Sequence, residues 1–153
     1  MAQSDIALNS LNEWLEYISK THPSEIEMGL DRIRRVFGKM TASENSNSLK
    51  PKQVVVVSGT NGKGSTIGLI EAGLISMGFS VGSYTSPHIR NYNERVKVNA
   101  QPISDLALVD SFKRVESARA DVPLTYFEFG TLAAFDVLFS RELDVLILEV
   151  GLG

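Results

Sequence analysis

Four consecutive valines, Val54–Val57, run almost directly into Gly59-Thr60-Asn61-Gly62-Lys63-Gly64-Ser65-Thr66, and this junction constrains the chain more than any other stretch. A β-branched, continuously apolar run reads as a strand covered on both faces of a parallel sheet. From Ser65 to Met77, residues Ile67, Leu69, Ile70, Leu74 and Ile75 recur at roughly helical spacing, with Gly78 as a stop signal. Strand, glycine-rich turn and helix make one βα unit. In that setting glycines let backbone N–H groups face phosphate oxygens, while the helix N-terminus and Lys63 add positive charge. The expected ligand is a nucleoside triphosphate. The strict pattern G-x-x-x-x-G-K-[ST] would need Gly in place of Val57 and Ser or Thr in place of Gly64, so the loop is a variant in which Ser65 or Thr66 supplies the hydroxyl. The plain alternative is a glycine turn carrying a surface lysine.

Composition narrows the partners. Fifteen Lys and Arg against eighteen Asp and Glu give a formal net charge of -3, so no general attraction for nucleic acid or anionic lipid exists and any phosphate has to be held locally. Without cysteine, disulfides, thiolate metal sites and cysteine nucleophiles are excluded. The apolar runs are far too short to span a bilayer, and Met1–Asp5 lack the blocks of a signal peptide, so a cytoplasmic protein without membrane or nucleic-acid partners is expected. At 153 residues, 43% of them hydrophobic, the chain reads as one domain with a real core.

An amphipathic helix is predicted from about Ser4 to Lys20 (Leu8, Leu11, Leu15, Ile18, with Trp14 beside them), closed by Pro23. A second is predicted from Met28 to about Lys39, with Leu30, Ile33, Val36 and Phe37 as its stripe and Arg32, Arg34, Arg35 and Lys39 as a solvated face. Thr41–Ser48 reads as a surface loop. Val81–Tyr84 is a short strand, Glu94–Ala100 an edge strand or hairpin arm, and Ser104 caps a helix reaching Arg119. Thr125-Tyr126-Phe127-Glu128 fits a capping box opening a helix to Arg141, and Asp144–Glu149 is a further buried strand ending in a carboxylate. Alternating strands and helices argue for an α/β fold with a mostly parallel sheet and flanking helices. The chain stops just after that strand, at Gly151-Leu152-Gly153, with no helix beyond to cover it, which reads as a fold incomplete at its C-terminus.

The loop Gly59–Ser65 resembles the form found in the Mur ligase superfamily, specifically in folylpolyglutamate synthases and dihydrofolate synthases. Tyr84-Thr85-Ser86-Pro87-His88 is similar to that family's Ω-loop signature, followed in order by Asn93-Glu94-Arg95-Val96, Pro102-Ile103-Ser104, Thr125–Glu128 and Leu148-Glu149-Val150-Gly151-Leu152-Gly153. Met28–Ile33 resembles its N-terminal helix. The resemblance implies a Mur ligase central-domain-like fold and a monomeric enzyme in which ATP phosphorylates the carboxylate of dihydropteroate or a folate. The amine of L-glutamate then displaces phosphate from the acyl phosphate.

By the same resemblance, Gly59, Thr60, Asn61, Gly62, Lys63, Gly64, Ser65 and Thr66 hold the ATP phosphates, Lys63 and Glu149 serve catalysis, and Ser86 and Glu149 ligate Mg2+. Ile26, Glu27, Met28 and Gly29, with Thr125, Tyr126, Phe127 and Glu128, contact the pterin-bearing substrate. Residues 1–153 then correspond to the N-terminal ATP-binding domain, without the C-terminal glutamate-ligase domain. Read alone, Glu149 has a plainer alternative as an exposed carboxylate at a strand end, His88 is a loop residue, and Arg95 is a substrate carboxylate clamp or, more simply, an exposed arginine on an edge strand. A muramyl-peptide ligase shares the loop chemistry, but Gly64 and Ser86 discriminate against it. A nucleotide-binding module without ligase activity is the reading from outside the ligases.

Overall fold

A computed structural model describes residues 8–21, 29–42 and 50–151. Helices α1 (Leu11–Thr21) and α2 (Asp31–Ala42) precede β1 (Gln53–Val57), α3 (Lys63–Ser76), β2 (Val81–Tyr84), a 3-10 turn (Tyr92–Arg95), β3 (Val96–Val98), β4 (Gln101–Pro102), α4 (Asp105–Arg119), α5 (Tyr126–Phe139) and β5 (Val145–Glu149). The sheet order is β1-β5-β2-β3-β4. The strands β1, β5 and β2 are parallel, and β3 and β4 add an antiparallel hairpin at one edge. This is the α/β architecture expected from the alternation of elements.

The helices sort to the two faces by where the strand residues point. On one face Ile67 of α3 packs with Val81, Val145 and Ile147, and Val55 and Val57 lean against them. On the other, Leu146 and Tyr84 join Leu108, Phe112, Phe129, Leu132 and Leu138 of α4 and α5, which are covered in turn by Trp14, Ile18 and Val36 of the two N-terminal helices. Phe112 and Phe129 meet edge to face at 5.6 Å, with Trp14 within 6.4 Å of both. Each such fully buried side chain contributes about 1.5–3 kcal/mol of transfer free energy. A buried polar contact also crosses the α3 face, where Ser83 Oγ donates to Glu71 Oε1 at 2.9 Å.

Two expectations about coverage are overturned. The four valines do not form a doubly covered strand: β1 lies at the sheet edge, and Val54 and Val56 are 53% and 59% exposed. The strand covered on both faces is β5, which inserts between β1 and β2 and receives α3 on one side and α5 on the other. Helices that precede β5 in sequence therefore supply the cover it seemed to lack.

Element ends shift for local reasons. The first helix starts at Leu11, not near Ser4, because Ser10 and Glu13 form a capping pair: Glu13 N donates to Ser10 Oγ and Ser10 N to Glu13 Oε2. The second starts at Asp31, leaving Leu30 exposed rather than in the apolar stripe. Ser104 accepts from Ala107 N, and α4 keeps its expected ends. The Thr125/Glu128 capping box is present, but α5 stops at Phe139. The hairpin arm begins at Val96, because Glu94 and Arg95 belong to the 3-10 turn. Ser4, Pro23 and most of the Thr41–Ser48 loop lie outside the described residues.

Gly130 has to be glycine because a Cβ there would overlap the Tyr92 hydroxyl, whose ring is buried. Gly130→Ala is therefore expected to destabilise the fold by about 1–3 kcal/mol in urea unfolding. Adding Tyr92→Phe, which removes the colliding oxygen while keeping the ring, should restore most of that loss. Equal instability of the single and double variants would show that the collision is not the cause.

Candidate functional site

Because β1, β5 and β2 are parallel and in register, their carboxyl ends come level: Val57 pairs with Glu149, and Tyr84 with Leu148. Ligands of open α/β sheets bind beyond this edge. From it leave the glycine loop after β1, the Ser86 segment after β2, and Val150-Gly151 after β5, where Val150 N donates to Val57 O at 2.9 Å.

The loop has the backbone of an anion nest. Gly59 and Gly62 hold positive φ of 151° and 76°, and Gly62 is the N-cap of α3 with no side-chain cap bond. Among the described residues the amides of Lys63, Gly64 and Ser65 donate no hydrogen bond, so three N–H groups and the positive end of a 14-residue helix face outward together. The other residues from Gly59 to Thr66 are exposed, whereas Lys63 is half-buried. Its Nζ donates to Gly59 O at 2.7 Å and lies 3.9 Å from Glu149 Oε1.

Glu149 is not the exposed carboxylate that its place at a strand end suggested. Its side chain is 7% exposed, and its second oxygen accepts from Ser86 N at 2.9 Å. Ser86 Oγ lies 3.6 Å from where a Cβ on Gly151, two residues beyond Glu149, would stand, and the Ser86–Pro87 peptide is cis. Lys63, Ser86 and Glu149, drawn from three separate stretches of sequence, thus converge. The described residues hold no group of three or more His, Cys, Asp or Glu side chains that would bind a metal by themselves. One carboxylate and one hydroxyl are the sparse hard-oxygen set that suits Mg2+ shared with phosphates, since Mg2+ usually keeps waters and substrate oxygens in its shell. The donors fit that ion.

Of the acceptor-side candidates, Phe127 lies against the last residue of β2 and Tyr126 against the 3-10 turn. Phe127 is 48% exposed, with its ring tilted against Tyr84 at 6.4 Å, and Tyr126 meets Tyr92 edge on at 6.2 Å. Burial pushes the hydroxyl pKa values of Tyr84, Tyr92 and Tyr126 up, so these rings remain neutral. Glu128, in contrast, is buried and fully engaged by Arg32 and by the Thr125 amide. Gly29 is exposed just ahead of α2, while Ile26, Glu27 and Met28 lie outside the described residues.

No family model matches the chain. It is 44% identical over 148 residues to the dihydrofolate synthase/folylpolyglutamate synthase of Escherichia coli, covering 96% of this chain and 34% of that protein. The Haemophilus influenzae protein of the same name is 45% identical over 148 residues, covering 96% of this chain and 32% of that one. Among solved structures, E. coli FolC in complex with DHPP and ADP superposes with a TM-score of 0.84 at 41% identity, over 95% of this chain and 34% of that one. A bifunctional folylpolyglutamate synthase/dihydrofolate synthase with Mn, AMPPNP and L-glutamate bound gives 0.82 at 42%, over 95% and 34%. Over nearly its whole length the chain is similar to the dihydrofolate synthase/folylpolyglutamate synthase family. It spans about a third of the length of the relatives it matches.

Sequence reasoning missed the internal wiring of the Ser86–Arg95 segment. Arg95 is half-buried rather than exposed on an edge strand: its Nε donates to His88 Nδ1 at 2.9 Å and its guanidinium stands 5.2 Å over the Tyr92 ring. Spacing alone cannot reveal such a contact. Glu94 closes the same loop by accepting the amides of Ile89, Arg90 and Asn91 at 2.9–3.2 Å. The Asn91 amide above all, with those of Ile89 and Arg90, holds the Glu94 carboxyl below its ordinary 4.5. A depressed carboxyl pKa stabilises the folded loop above the unfolded value, and that support disappears as pH falls through the folded one. In NMR spectra the Ile89, Arg90 and Asn91 amides should therefore shift together on acidification with a midpoint under 4.5, and Glu94→Gln should give the acid-like shifts already at neutral pH. Unchanged amides in that variant would rule the carboxylate out as the clasp.

Proposed function

We propose that the chain supplies the ATP-binding and acceptor-binding part of an ATP-dependent ligase that adds L-glutamate to dihydropteroate or folates. The observation that carries this reading is the convergence of Lys63, Ser86 and Glu149 around an unpaired backbone nest. Solved structures of related proteins carry ADP, AMPPNP, Mn, L-glutamate, DHPP or folate. Residues 1–153 correspond in this reading to the N-terminal ATP-binding domain, and amide formation requires a C-terminal glutamate-ligase domain as well. Among the described residues no helix is long and apolar enough to cross a membrane, and the reading places a monomeric enzyme in the cytoplasm.

In this reading each site residue takes a distinct role. Gly59–Thr66 wrap the triphosphate, with the amides of Lys63, Gly64 and Ser65 on its oxygens. Lys63, already drawn toward the site's centre, neutralises charge that builds as the acceptor carboxylate attacks the γ-phosphorus. Ser86 and Glu149 would hold Mg2+, which offsets phosphate charge when bound. Tyr126 and Phe127 offer a flat apolar wall to the pterin ring, and the Ile26–Gly29 segment contributes to the same subsite. The acyl phosphate formed on the acceptor is then opened by the amine of glutamate, releasing phosphate and leaving an amide.

The full-length protein is expected to release ADP only when dihydropteroate or a folate and L-glutamate are both present, with a glutamylated product seen by mass spectrometry. The 153-residue chain alone should bind Mg·ATP in calorimetry without forming that product. Lys63→Ala in the full-length enzyme should lower kcat by about 10^2–10^3-fold. Glu149→Gln should raise the Mg2+ concentration needed for half-maximal rate by about 10–100-fold. ADP release that ignores glutamate would sink the ligase reading.

A further inference from the structure

We infer that Arg32 is a positioning residue for the carboxylate-bearing acceptor, an inference that rests on the ligase reading. Its guanidinium NH2 group donates to both oxygens of Glu128, at 3.1 and 3.2 Å, and Nε reaches Oε1 at 3.4 Å. Glu128 Oε2 also accepts from Thr125 N at 2.8 Å, and Glu128 N donates back to Thr125 Oγ1 at 3.2 Å. The carboxylate is therefore saturated inside the protein and is not available to a ligand. What it does is tie the first turn of α5, which carries Tyr126 and the half-exposed Phe127, to the first turn of α2 ninety-six residues away.

The far end of the tie has its own significance. Arg32 lies three residues beyond Gly29, the last residue of the Ile26–Gly29 segment proposed for the acceptor subsite. One buried pair thus fixes the first turn of α5, which the reading assigns to that substrate, against the first turn of α2, which follows Gly29. Arg32 and Glu128 side chains are 21% and 9% exposed. Buried ion pairs seldom outperform apolar packing in stability, because desolvation offsets their attraction. Their distinctive contribution is directional: a planar guanidinium fixes both the distance and the rotation of the carboxylate it grips. The basic stripe of α2 shows the selectivity of this arrangement. Arg34, Arg35 and Lys39 have no ion-pair partner among the described residues, although Arg35 and Lys39 border, together with Arg32 itself, a cavity of about 380 Å³ shared with Asp31 and Asp121. Arg32 is drawn inward; its neighbours are not.

The test uses the full-length enzyme carrying Arg32→Gln. The KM for the pterin acceptor should rise about 10–100-fold, as expected when a binding wall shifts by a fraction of an ångström to an ångström. The KM for ATP should stay within about twofold, and Arg32→Lys, which keeps the charge but not the fork, should recover part of the acceptor affinity. Hydrogen exchange supplies a readout independent of turnover: amides of residues 30–33 and 125–129 should exchange faster in Arg32→Gln while those of 62–66 do not. An unchanged acceptor KM, equal rises in both KM values, or exchange that rises evenly or nowhere would overturn the inference. If the unmutated protein fails to ligate, the ligase reading falls separately, and the exchange pattern alone decides whether Arg32 couples the two turns.

Discussion

The position of Glu149 is set by hydrophobic alternation in the strand that carries it. Leu146 points into the α4–α5 layer and Ile147 into the α3 layer, so β5 cannot slide by one residue without exchanging two apolar faces. Held in that register between β1 and β2, the strand delivers its terminal carboxylate level with Val57, whose successors form the glycine loop, and beside Leu148's partner Tyr84, which leads into Ser86. Three segments far apart in sequence share a site because one central strand is locked from both sides.

The two helical layers then divide the surroundings. The layer of α3 begins at the loop itself, with Lys63 as its first residue, and is pinned lower down by Ile67 and by the Glu71–Ser83 contact against β2. The opposite layer is aromatic, and its close contacts rely on absent side chains: a Cβ on Gly82 would stand 2.5 Å from Leu143 Cδ1, and one on Gly130 would meet the Tyr92 hydroxyl. These approaches bring α5 onto the sheet and present Phe127 beside Tyr84. The nucleotide side of the proposed enzyme is thus built on backbone conformation, and its acceptor side on side-chain packing.

That division explains what could be read from residues alone. Backbone-determined features announce themselves locally: the glycines of the loop, the Ser104 cap and the Thr125/Glu128 box sit where their patterns place them. Coverage does not, since four valines look alike on a central strand and on an edge strand, and only the insertion of β5 decides which is which. Ser10 and Glu13 carried a readable capping pattern that an apolar repeat beginning at Leu8 obscured. Arg32 was hidden for a different reason. Its basic neighbours make it look like one more surface charge, and its carboxylate partner lies ninety-six residues away. His88 and Arg95 likewise satisfy each other through a loop whose path no periodicity describes.

A carboxylate at the mouth of an anion nest poses an electrostatic problem whose solution shapes the proposed chemistry. Two unit charges about 4 Å apart interact by roughly 4 kcal/mol at an effective dielectric near 20, before desolvation is counted. Glu149 would therefore oppose a triphosphate strongly were it not faced by Lys63 at 3.9 Å and by the Ser86 amide. Lys63 in turn is held by the Gly59 carbonyl, which keeps its charge over the loop rather than in solvent. When a triphosphate takes a share of that lysine, Glu149 loses part of its compensation, and a divalent cation becomes the natural way to restore it. The protein's net charge of -3 makes the same point on a larger scale: with no general basic field, binding of a polyanion has to rest on these few local groups. In the proposed reading, an acid beside the nest then acts as a selector. It penalises bare triphosphate and leaves the metal-bound form, which the proposed phosphoryl transfer requires, as the species the site accepts.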